Sequence, residues 1–281
     1  MFKKLKSGIN KLKYTLFQDK RVALIKLEGV ILDSGYLPTS SKIIESLKEA
    51  KTLGIKTIVF RINSPGGTVG ASQEIYTEIK KLQKEGIKVV VSLGDVAASG
   101  GLYVAVAGDK IVSNPGTVTG SIGVIIKSSV IKDLYKKIGI EHQVVKSGPY
   151  KDILSQSRFF TEEERLLLQE LIDVTYNQFV KTISENRNIS VEEVRKFADG
   201  RIFTGDQAKE YGLIDQIGSL SDAIDLAAEL AEIKGEPFVI EIEHKKSLLQ
   251  KITGTNMSEI LEKAGINSLH SSIPLWIMPE N

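Results

Sequence analysis

The sequence contains no cysteine, no long apolar run and no clustered histidines. The absence of cysteine excludes disulfides, thiol nucleophiles and thiolate metal sites. His142, His244 and His270 are scattered, so no histidine metal site is expected. No apolar stretch approaches the roughly 18–20 residues of a membrane span, and the basic N-terminus lacks the apolar core of a signal peptide. A net charge of +2 over 281 residues gives no indication of nucleic-acid binding.

The first residues of the chain are basic and amphipathic. Residues 1–22 contain seven lysines and arginines but only one acid, Asp19. Apolar residues recur there at spacings of three and four, which predicts a helix; they are Phe2, Leu5, Ile9, Leu12 and Leu16. Such a helix could lie on anionic lipid, or it could pack on the domain or on a partner subunit.

From Arg21 onward, strand-like and helix-like segments alternate. This order predicts βαβ crossovers and a largely parallel sheet, with ligands bound beyond the carboxyl ends of the strands. The predicted strands are 22–31, 55–62, 87–93, 110–113, 124–126, 143–146 and 238–242. The predicted helices are 41–51, 69–85, 102–107, 128–138, 161–186, 190–198, 205–211 and 220–233.

Ser99 lies in a glycine-flanked turn, residues 94–101 (GDVAASGG), which directly follows the predicted strand at 87–93. A serine at a strand-to-helix turn has the geometry of an exposed nucleophile, and its turn can present backbone N–H groups to a reacting carbonyl. Two more glycine-rich turns follow strands, at residues 63–67 (NSPGG) and 114–123 (NPGTVTGSIG). Neither glycine pattern typical of phosphate cradles occurs, which disfavours a nucleotide site.

A serine nucleophile needs a base, and no histidine has a suitable context. Lys151 is the better candidate, because it lies in a loop after a predicted strand, within residues 147–152 (SGPYKD). Burial lowers the pKa of a lysine amine from about 10.4 towards about 7–8, so that a buried lysine can accept the proton of a serine.

Taken together, the motifs resemble the signal peptide peptidase A (SppA, protease IV-like) family of serine proteases in its short, single-domain form. The matching segments occur in family order: 63–67 (NSPGG), 94–101 (GDVAASGG), 119–124 (TGSIGV), 148–152 (GPYKD), 200–205 (GRIFTG) and 212–218 (GLIDQIG). Counting 200–205 followed by 212–218 as one motif, five ordered motifs over residues 21–235 are far more specific than any one of them.

This resemblance implies a Ser-Lys endopeptidase without cofactor or metal. Ser99 corresponds to the nucleophile and Lys151 to the general base, and the N–H groups of Gly66 and Gly100 would form the oxyanion hole. The implied fold is α/β and related to the Clp protease and crotonase folds, a βα superhelix with a mostly parallel sheet and helical elements that join subunits. The implied partners are signal peptides or other extended apolar peptides and further copies of the chain in a ring, where serine and lysine can come from adjacent subunits.

Family members usually carry an N-terminal transmembrane anchor, whereas this chain shows only the basic amphipathic segment. We therefore expect a cytoplasmic or peripherally membrane-associated protein. The predicted organisation is an N-terminal helix at residues 1–20, an SppA-like protease domain at 21–245 and a tail at 246–281. The apolar end of that tail, residues 273–278 (IPLWIM), could dock in a groove or cover an edge of the core.

Two other functions fit part of the pattern. A crotonase-like acyl-CoA protein would also use backbone oxyanion holes, but it does not explain the coincidence of Ser99 and Lys151 with the protease motifs. A ring-forming scaffold that binds peptide or membrane would have no need for an intact serine, lysine and glycine turns.

Overall fold

The computed structural model describes residues 20–33, 39–242 and 275–277. The predicted N-terminal helix lies outside these ranges, as does most of the predicted tail. Ten strands are assigned within them: β1 Arg21–Glu28, β2 Thr57–Ser64, β3 Gly66–Thr68, β4 Lys88–Ala98, β5 Lys110–Ser113, β6 Val118–Gly120, β7 Ile202–Phe203, β8 Gln216–Ile217, β9 Phe238–Glu241 and β10 Leu275–Ile277.

Eight helices accompany these strands in the described part of the chain: α1 Thr39–Thr52, α2 Val69–Lys84, α3 Gly100–Ala105, α4 Lys132–Lys137, α5 Glu162–Arg187, α6 Val191–Arg195, α7 Gly205–Glu210 and α8 Leu220–Leu230. The predicted start of α5 is confirmed in detail. Thr161 accepts from the N–H of Glu164, whose carboxylate accepts in turn from the N–H of Thr161. This reciprocal capping satisfies two donors that a helix start otherwise leaves unbonded.

The main sheet has the order β7-β6-β4-β2-β1-β9, and β5 and β8 continue from β4 along a second branch. All its pairings are parallel except the one between β6 and β7. The sheet branches because β4 is long. Its first half pairs with β5 and its last residues, Val96–Ala98, pair with β6.

Both faces of the sheet are buried, since alternate residues of each strand point to opposite faces. Ile25, Phe60 and Val91 belong to a large core that the helices α1 to α3 and α5 also enter. Leu24 and Val59, their neighbours in sequence, belong to a smaller core under α8. A parallel sheet covered on both faces leaves its carboxyl edge as the place for a site.

The strands predicted at 124–126 and 143–146 are wrong. Ile125 forms only an isolated β-bridge, and residues 143–146 form neither helix nor strand. The chain from 124 to 160 contains no fully buried residue, and only the short helix α4 forms there. A strand-like sequence forms a strand only where it pairs with a sheet edge, and neither segment pairs with a strand in the described part of the chain.

Candidate active site

The structure brings the three glycine-rich turns together at the carboxyl edge of the sheet. Gly101 approaches the first turn so closely that a Cβ there would lie 2.9 Å from the carbonyl oxygen of Ser64. The pairing of β2 with β4 shifts register between Ile62 and Ser64. Asn63 fills this irregularity, because its Oδ1 accepts from the N–H of Val96 at 3.0 Å. Side-chain and backbone contacts thus fix the first turn against the second.

The third turn is attached to the second through β6. The hydroxyl of Thr117 donates to the carbonyl of Gly94 and that of Thr119 to the carbonyl of Ala97, both at 2.6 Å. The N–H of Ser99 donates to the carbonyl of Gly120 at 2.8 Å. The backbone position of Ser99 is therefore set by strands on both sides of it.

Ser99 occupies the single residue between the end of β4 and the start of α3. Its backbone has φ 50° and ψ −116°, a combination that non-glycine residues rarely adopt. Such conformations cost of order 1–3 kcal/mol and concentrate at functional sites. A strained serine at a sharp strand-to-helix turn is the geometry from which hydrolase nucleophiles act.

The side chain of Ser99 is buried rather than exposed. The residue is 1% exposed, and its Oγ has no hydrogen-bond partner among the residues that the structure describes. The sequence-based expectation of an exposed nucleophile is wrong in this respect. Buried hydroxyls are normally bonded. Those of Ser40 and Thr57 also lack a partner among the described residues, but only Ser99 combines this with a positive φ.

The two predicted oxyanion donors differ in their surroundings. Gly100 is the first residue of α3, so its N–H has no partner within the helix. Gly66 has φ 108°, and its N–H donates to the hydroxyl of Ser64 at 3.1 Å. The sequence did not single out Ser64. A carbonyl oxygen that binds to Gly66 must replace this hydroxyl.

Lys151 does not meet Ser99 within the chain. It lies in the exposed segment that precedes α5, and no hydrogen bond reaches the Ser99 hydroxyl. The expectation of a buried lysine is therefore wrong for the single chain.

The residue after Lys151 is held firmly. Arg158 donates to both carboxylate oxygens of Asp152, at 3.0 and 2.7 Å, and to both of Glu164, at 2.7 and 2.5 Å. The hydrogen bonds from Arg158, followed by that from Lys146, hold the pKa of Asp152 well below its usual range. Those from Arg158 lower the pKa of Glu164 to about 2. Arg158 thus connects the loop of Lys151 to the N-terminus of α5. The spacing of Asp152, Arg158 and Glu164 in the sequence did not predict these ion pairs.

A second unpredicted cluster lies behind the nucleophile. The hydroxyl of Tyr103 in α3 contacts Gln73 in α2, and it bonds with Gln178 at 3.1 Å and Thr182 at 3.3 Å in α5. Burial raises the pKa of Tyr103 above its ordinary value. These bonds join the three helices and fix α3, whose first turn carries Gly100.

Across the described residues, no group of three or more acidic or histidine side chains is arranged to hold a metal ion. Within those ranges, none of the helices is both long enough and apolar enough to cross a membrane.

Comparison with known proteins gives concordant matches. The family model of peptidase family S49 matches residues 81–234, and that of Clp protease matches residues 22–117. A putative protease of Synechocystis sp. is 42% identical over 270 residues, which cover 92% of this chain and 96% of that protein. A putative signal peptide peptidase SppA of Enterococcus faecium is 35% identical over 238 residues, 78% of this chain and 69% of that protein. Protease 4 of Salmonella typhi is 35% identical over 220 residues, 76% of this chain but 35% of its own length. The Clp protease match and the mostly parallel sheet confirm the predicted fold class.

Proposed function

Since the chain belongs to peptidase family S49, we propose that it is a serine endopeptidase in which Ser99 is the nucleophile and Lys151 the general base. The observation that carries the proposal is the Ser99 hydroxyl, buried, unbonded and held at φ 50° between a strand and a helix. Membership of the SppA group of this family confirms the resemblance found in the motifs.

In this mechanism, the Ser99 oxygen attacks the carbonyl carbon of a peptide bond while its proton passes to the amine of Lys151. The N–H groups of Gly66 and Gly100 stabilise the negative oxygen, and each such donor contributes about 2.7–4 kcal/mol in the transition state. Lys151 then returns the proton to the leaving amine, and an acyl-enzyme remains on Ser99. Water activated by the same amine hydrolyses this ester and regenerates the serine.

The base comes, in our proposal, from an adjacent copy of the chain in a ring. Two observations support this: the Ser99 hydroxyl has no partner within residues 20–33, 39–242 and 275–277, and Lys151 is exposed. An amine acts as a base only when it is neutral, and the dry surroundings of a subunit contact favour the neutral form. The arrangement explains why the lysine loop is rigidly clamped through Arg158 although it does not reach the nucleophile of its own chain.

The surface around this loop fits a subunit contact. Large apolar side chains are exposed there, both on the segment that carries Lys151 and on the first half of α5. They include Ile138 at 59%, Val145 at 103%, Phe159 at 72%, Leu166 at 56% and Val174 at 64% exposure. Exposed apolar patches of this kind mark interaction surfaces, and repeated contact of identical chains closes into a ring.

We propose signal-peptide remnants or other extended apolar peptides as substrates. The Enterococcus faecium relative is described as a putative signal peptide peptidase. A free strand edge binds an extended peptide through backbone hydrogen bonds, which suits unfolded segments.

The test compares hydrolysis of fluorogenic apolar peptides by wild type, Ser99→Ala and Lys151→Ala, with Lys137→Ala as the control for loss of an exposed lysine. The mass of the assembly is measured for each protein. We expect Ser99→Ala and Lys151→Ala to be inactive and Lys137→Ala to be active. A serine-directed phosphonate should label only proteins that retain Ser99. An unlabelled and inactive wild-type assembly would contradict the protease proposal.

Mixing the two inactive variants tests the position of the base. If the dyad spans adjacent copies, mixed rings place an intact Ser99 beside an intact Lys151 in about a quarter of the contacts. Activity should then return to about that fraction of wild type after exchange of subunits. No recovery in demonstrably mixed assemblies would place both residues in one chain.

We further propose that residues 1–20 form a separate basic amphipathic element that attaches the 21–245 domain to anionic membranes. Flotation with anionic and neutral liposomes, with and without residues 1–18, tests this. Equal flotation of both proteins would favour packing of this segment on the domain or on a partner subunit.

A further inference from the structure

Three helices meet behind the candidate active site, and two of them continue directly from its parts. α2 follows β3, the short strand that starts at Gly66. α3 starts at Gly100, directly after Ser99. α5 packs against α3 through the ring of Phe179. The position of α3 relative to α2 therefore sets the distance between the two predicted oxyanion donors.

The hydroxyl of Tyr103 lies where these helices meet, and its hydrogen-bonding capacity is fully used. It donates to Oε1 of Gln73 in α2. It accepts from Nε2 of Gln178 at 3.1 Å and from the hydroxyl of Thr182 at 3.3 Å, both in α5. Gln178 also donates to the same oxygen of Gln73 at 2.8 Å. Since a hydroxyl offers one donor and two acceptor positions, Tyr103 satisfies all of its own by joining three helices.

The surroundings of this hydroxyl make the network rigid. Tyr103 is 1% exposed, and its ring centroid lies 5.3 Å from that of Tyr76 and 5.2 Å from that of Phe179. Burial raises the pKa of the Tyr103 hydroxyl, which therefore keeps its proton and its role as a donor at neutral pH. A fully satisfied polar network in low-dielectric surroundings specifies one arrangement of the elements that it joins.

The backbone of α3 connects this network to the nucleophile turn. The helix has only six residues, so Tyr103 lies within one turn of Gly100. The N–H of Tyr103 donates to the carbonyl of Ser99 at 2.9 Å. Gly101 packs on Ser64 of the first glycine-rich turn, where a Cβ would lie 2.9 Å from the carbonyl oxygen. A shift of Tyr103 therefore moves the N–H of Gly100 relative to that turn.

We propose that Tyr103 is a positioning residue for the oxyanion hole: its hydroxyl holds α3 against α2 and thereby sets the distance between the N–H groups of Gly100 and Gly66. This assignment rests on the proposed peptidase function. Because its side chain is buried, Tyr103 acts on the reaction through Gly100 and not by contact with a substrate. A misplacement of about 1 Å in a catalytic constellation can lower the rate about 100-fold.

The first experiment compares Tyr103→Phe with Tyr76→Phe in the assembled full-length enzyme. Tyr76 is the matched control, because its hydroxyl accepts from Nδ2 of Asn186 at 2.8 Å and so joins α2 to α5 but not to α3. We expect Tyr103→Phe to lower kcat about tenfold with KM unchanged, and Tyr76→Phe to keep the wild-type kcat. Equal kcat in the two variants of an active enzyme would overturn the proposal. An inactive wild type would instead contradict the peptidase function.

A transition-state analogue separates positioning from stability. The Ser99 oxygen adds to the carbonyl carbon of a peptide aldehyde, and the former carbonyl oxygen then occupies the oxyanion hole. The inhibition constant should rise about tenfold in Tyr103→Phe, in step with the fall in kcat/KM, and stay at the wild-type value in Tyr76→Phe. A lower unfolding midpoint with an unchanged inhibition constant would show that Tyr103 contributes only to stability, which overturns the proposal.

A variant on α2 tests the same network from its other end and serves if Tyr103→Phe does not fold. Gln73→Leu removes the acceptor of the Tyr103 hydroxyl and leaves the Tyr103 ring in place. We expect Gln73→Leu and the double variant each to lose about as much kcat as Tyr103→Phe, because groups that act as a unit are not additive. A wild-type kcat in Gln73→Leu, or losses that multiply in the double variant, would contradict the network.

Hydrogen exchange gives a readout that does not need activity. The amides of residues 99–105 should exchange faster in Tyr103→Phe than in wild type, because α3 loses its bond to α2. Tyr76→Phe should exchange there at the wild-type rate. Equal exchange in Tyr103→Phe and wild type would overturn the positioning of α3, even in a protein without peptidase activity.

Discussion

The strain and burial of Ser99 predict that its removal stabilises the protein while abolishing catalysis. An unpaired buried hydroxyl costs about 1–3 kcal/mol, and a non-glycine residue at positive φ costs about 1–2 kcal/mol. Ser99→Ala removes only the first cost, so we expect about 1 kcal/mol of added stability. Ser99→Gly removes both costs, but the greater conformational entropy of glycine stabilises the unfolded chain by about 0.5–1 kcal/mol. The expected net gain in stability is about 2 kcal/mol.

The assay is urea unfolding of the dissociated chain, at a fixed protein concentration too low for assembly, because in a ring Lys151 of an adjacent copy would bond the Ser99 hydroxyl. Calorimetry is a check, since each kcal/mol shifts Tm by about 2–4 °C in a domain of this size. Ser113→Ala is the control, because Ser113 is equally buried but its hydroxyl donates to the carbonyl of Asn114 at 3.0 Å. That variant should lose about 0.5–1.5 kcal/mol. If Ser99→Ala and Ser99→Gly were destabilised as much as Ser113→Ala, the reasoning from strain and the unbonded hydroxyl would be refuted.

Two further predictions concern the turn and the clamp. Gly101→Ala places a Cβ 2.9 Å from the Ser64 carbonyl oxygen, which must displace the nucleophile turn. We expect kcat to fall about 100-fold, while circular dichroism shows that the fold is retained. An unchanged kcat would contradict the close packing of Gly101 on Ser64. The second prediction follows from Arg158, which lowers the pKa of Glu164 from 4.5 to about 2. The Glu164 carboxylate therefore stabilises the folded state fully above about pH 4.5. This stabilisation is lost as the pH falls towards 2. The urea midpoint of wild type should drop over that interval more than that of Glu164→Gln, and parallel curves would show that the clamp adds no stability.

Regular patterns made much of the fold predictable. The helix bounded by Thr161 was predicted because a capping signal and a run of helix-forming residues are both local, and the structure places α5 at Glu162–Arg187. The buried strand at 55–62 was predicted within two residues at each end. The strand at 87–93 was predicted at its start, but it extends to Ala98, through most of the expected turn. The short strands β3, β6, β7 and β8 were missed, since two or three residues carry no periodicity and exist only through their pairing partners.

The candidate site likewise has a part that local sequence predicted and a part that it did not. Ser99 and Gly100 stand in one turn, so their neighbourhood is a property of local sequence. The expectation of a buried Lys151 failed because burial of a side chain depends on what packs against it, and none of the described residues buries the 124–160 segment. The Arg158 clamp and the Ser64 hydroxyl on Gly66 depend on side-chain placement that spacing alone does not encode.

The sequence by itself determined the family, the α/β class and the identity of the candidate nucleophile, because ordered motifs and local periodicity survive without coordinates. Only the tertiary structure decided that Ser99 is buried, strained and unbonded, that Lys151 lies away from it, and that residues 275–277 pair with β3. These facts join segments far apart in the chain. The burial, strain and pairing of these residues depend on how closely the segments approach one another. That distance is set by the packing of the core and not by any local stretch of residues.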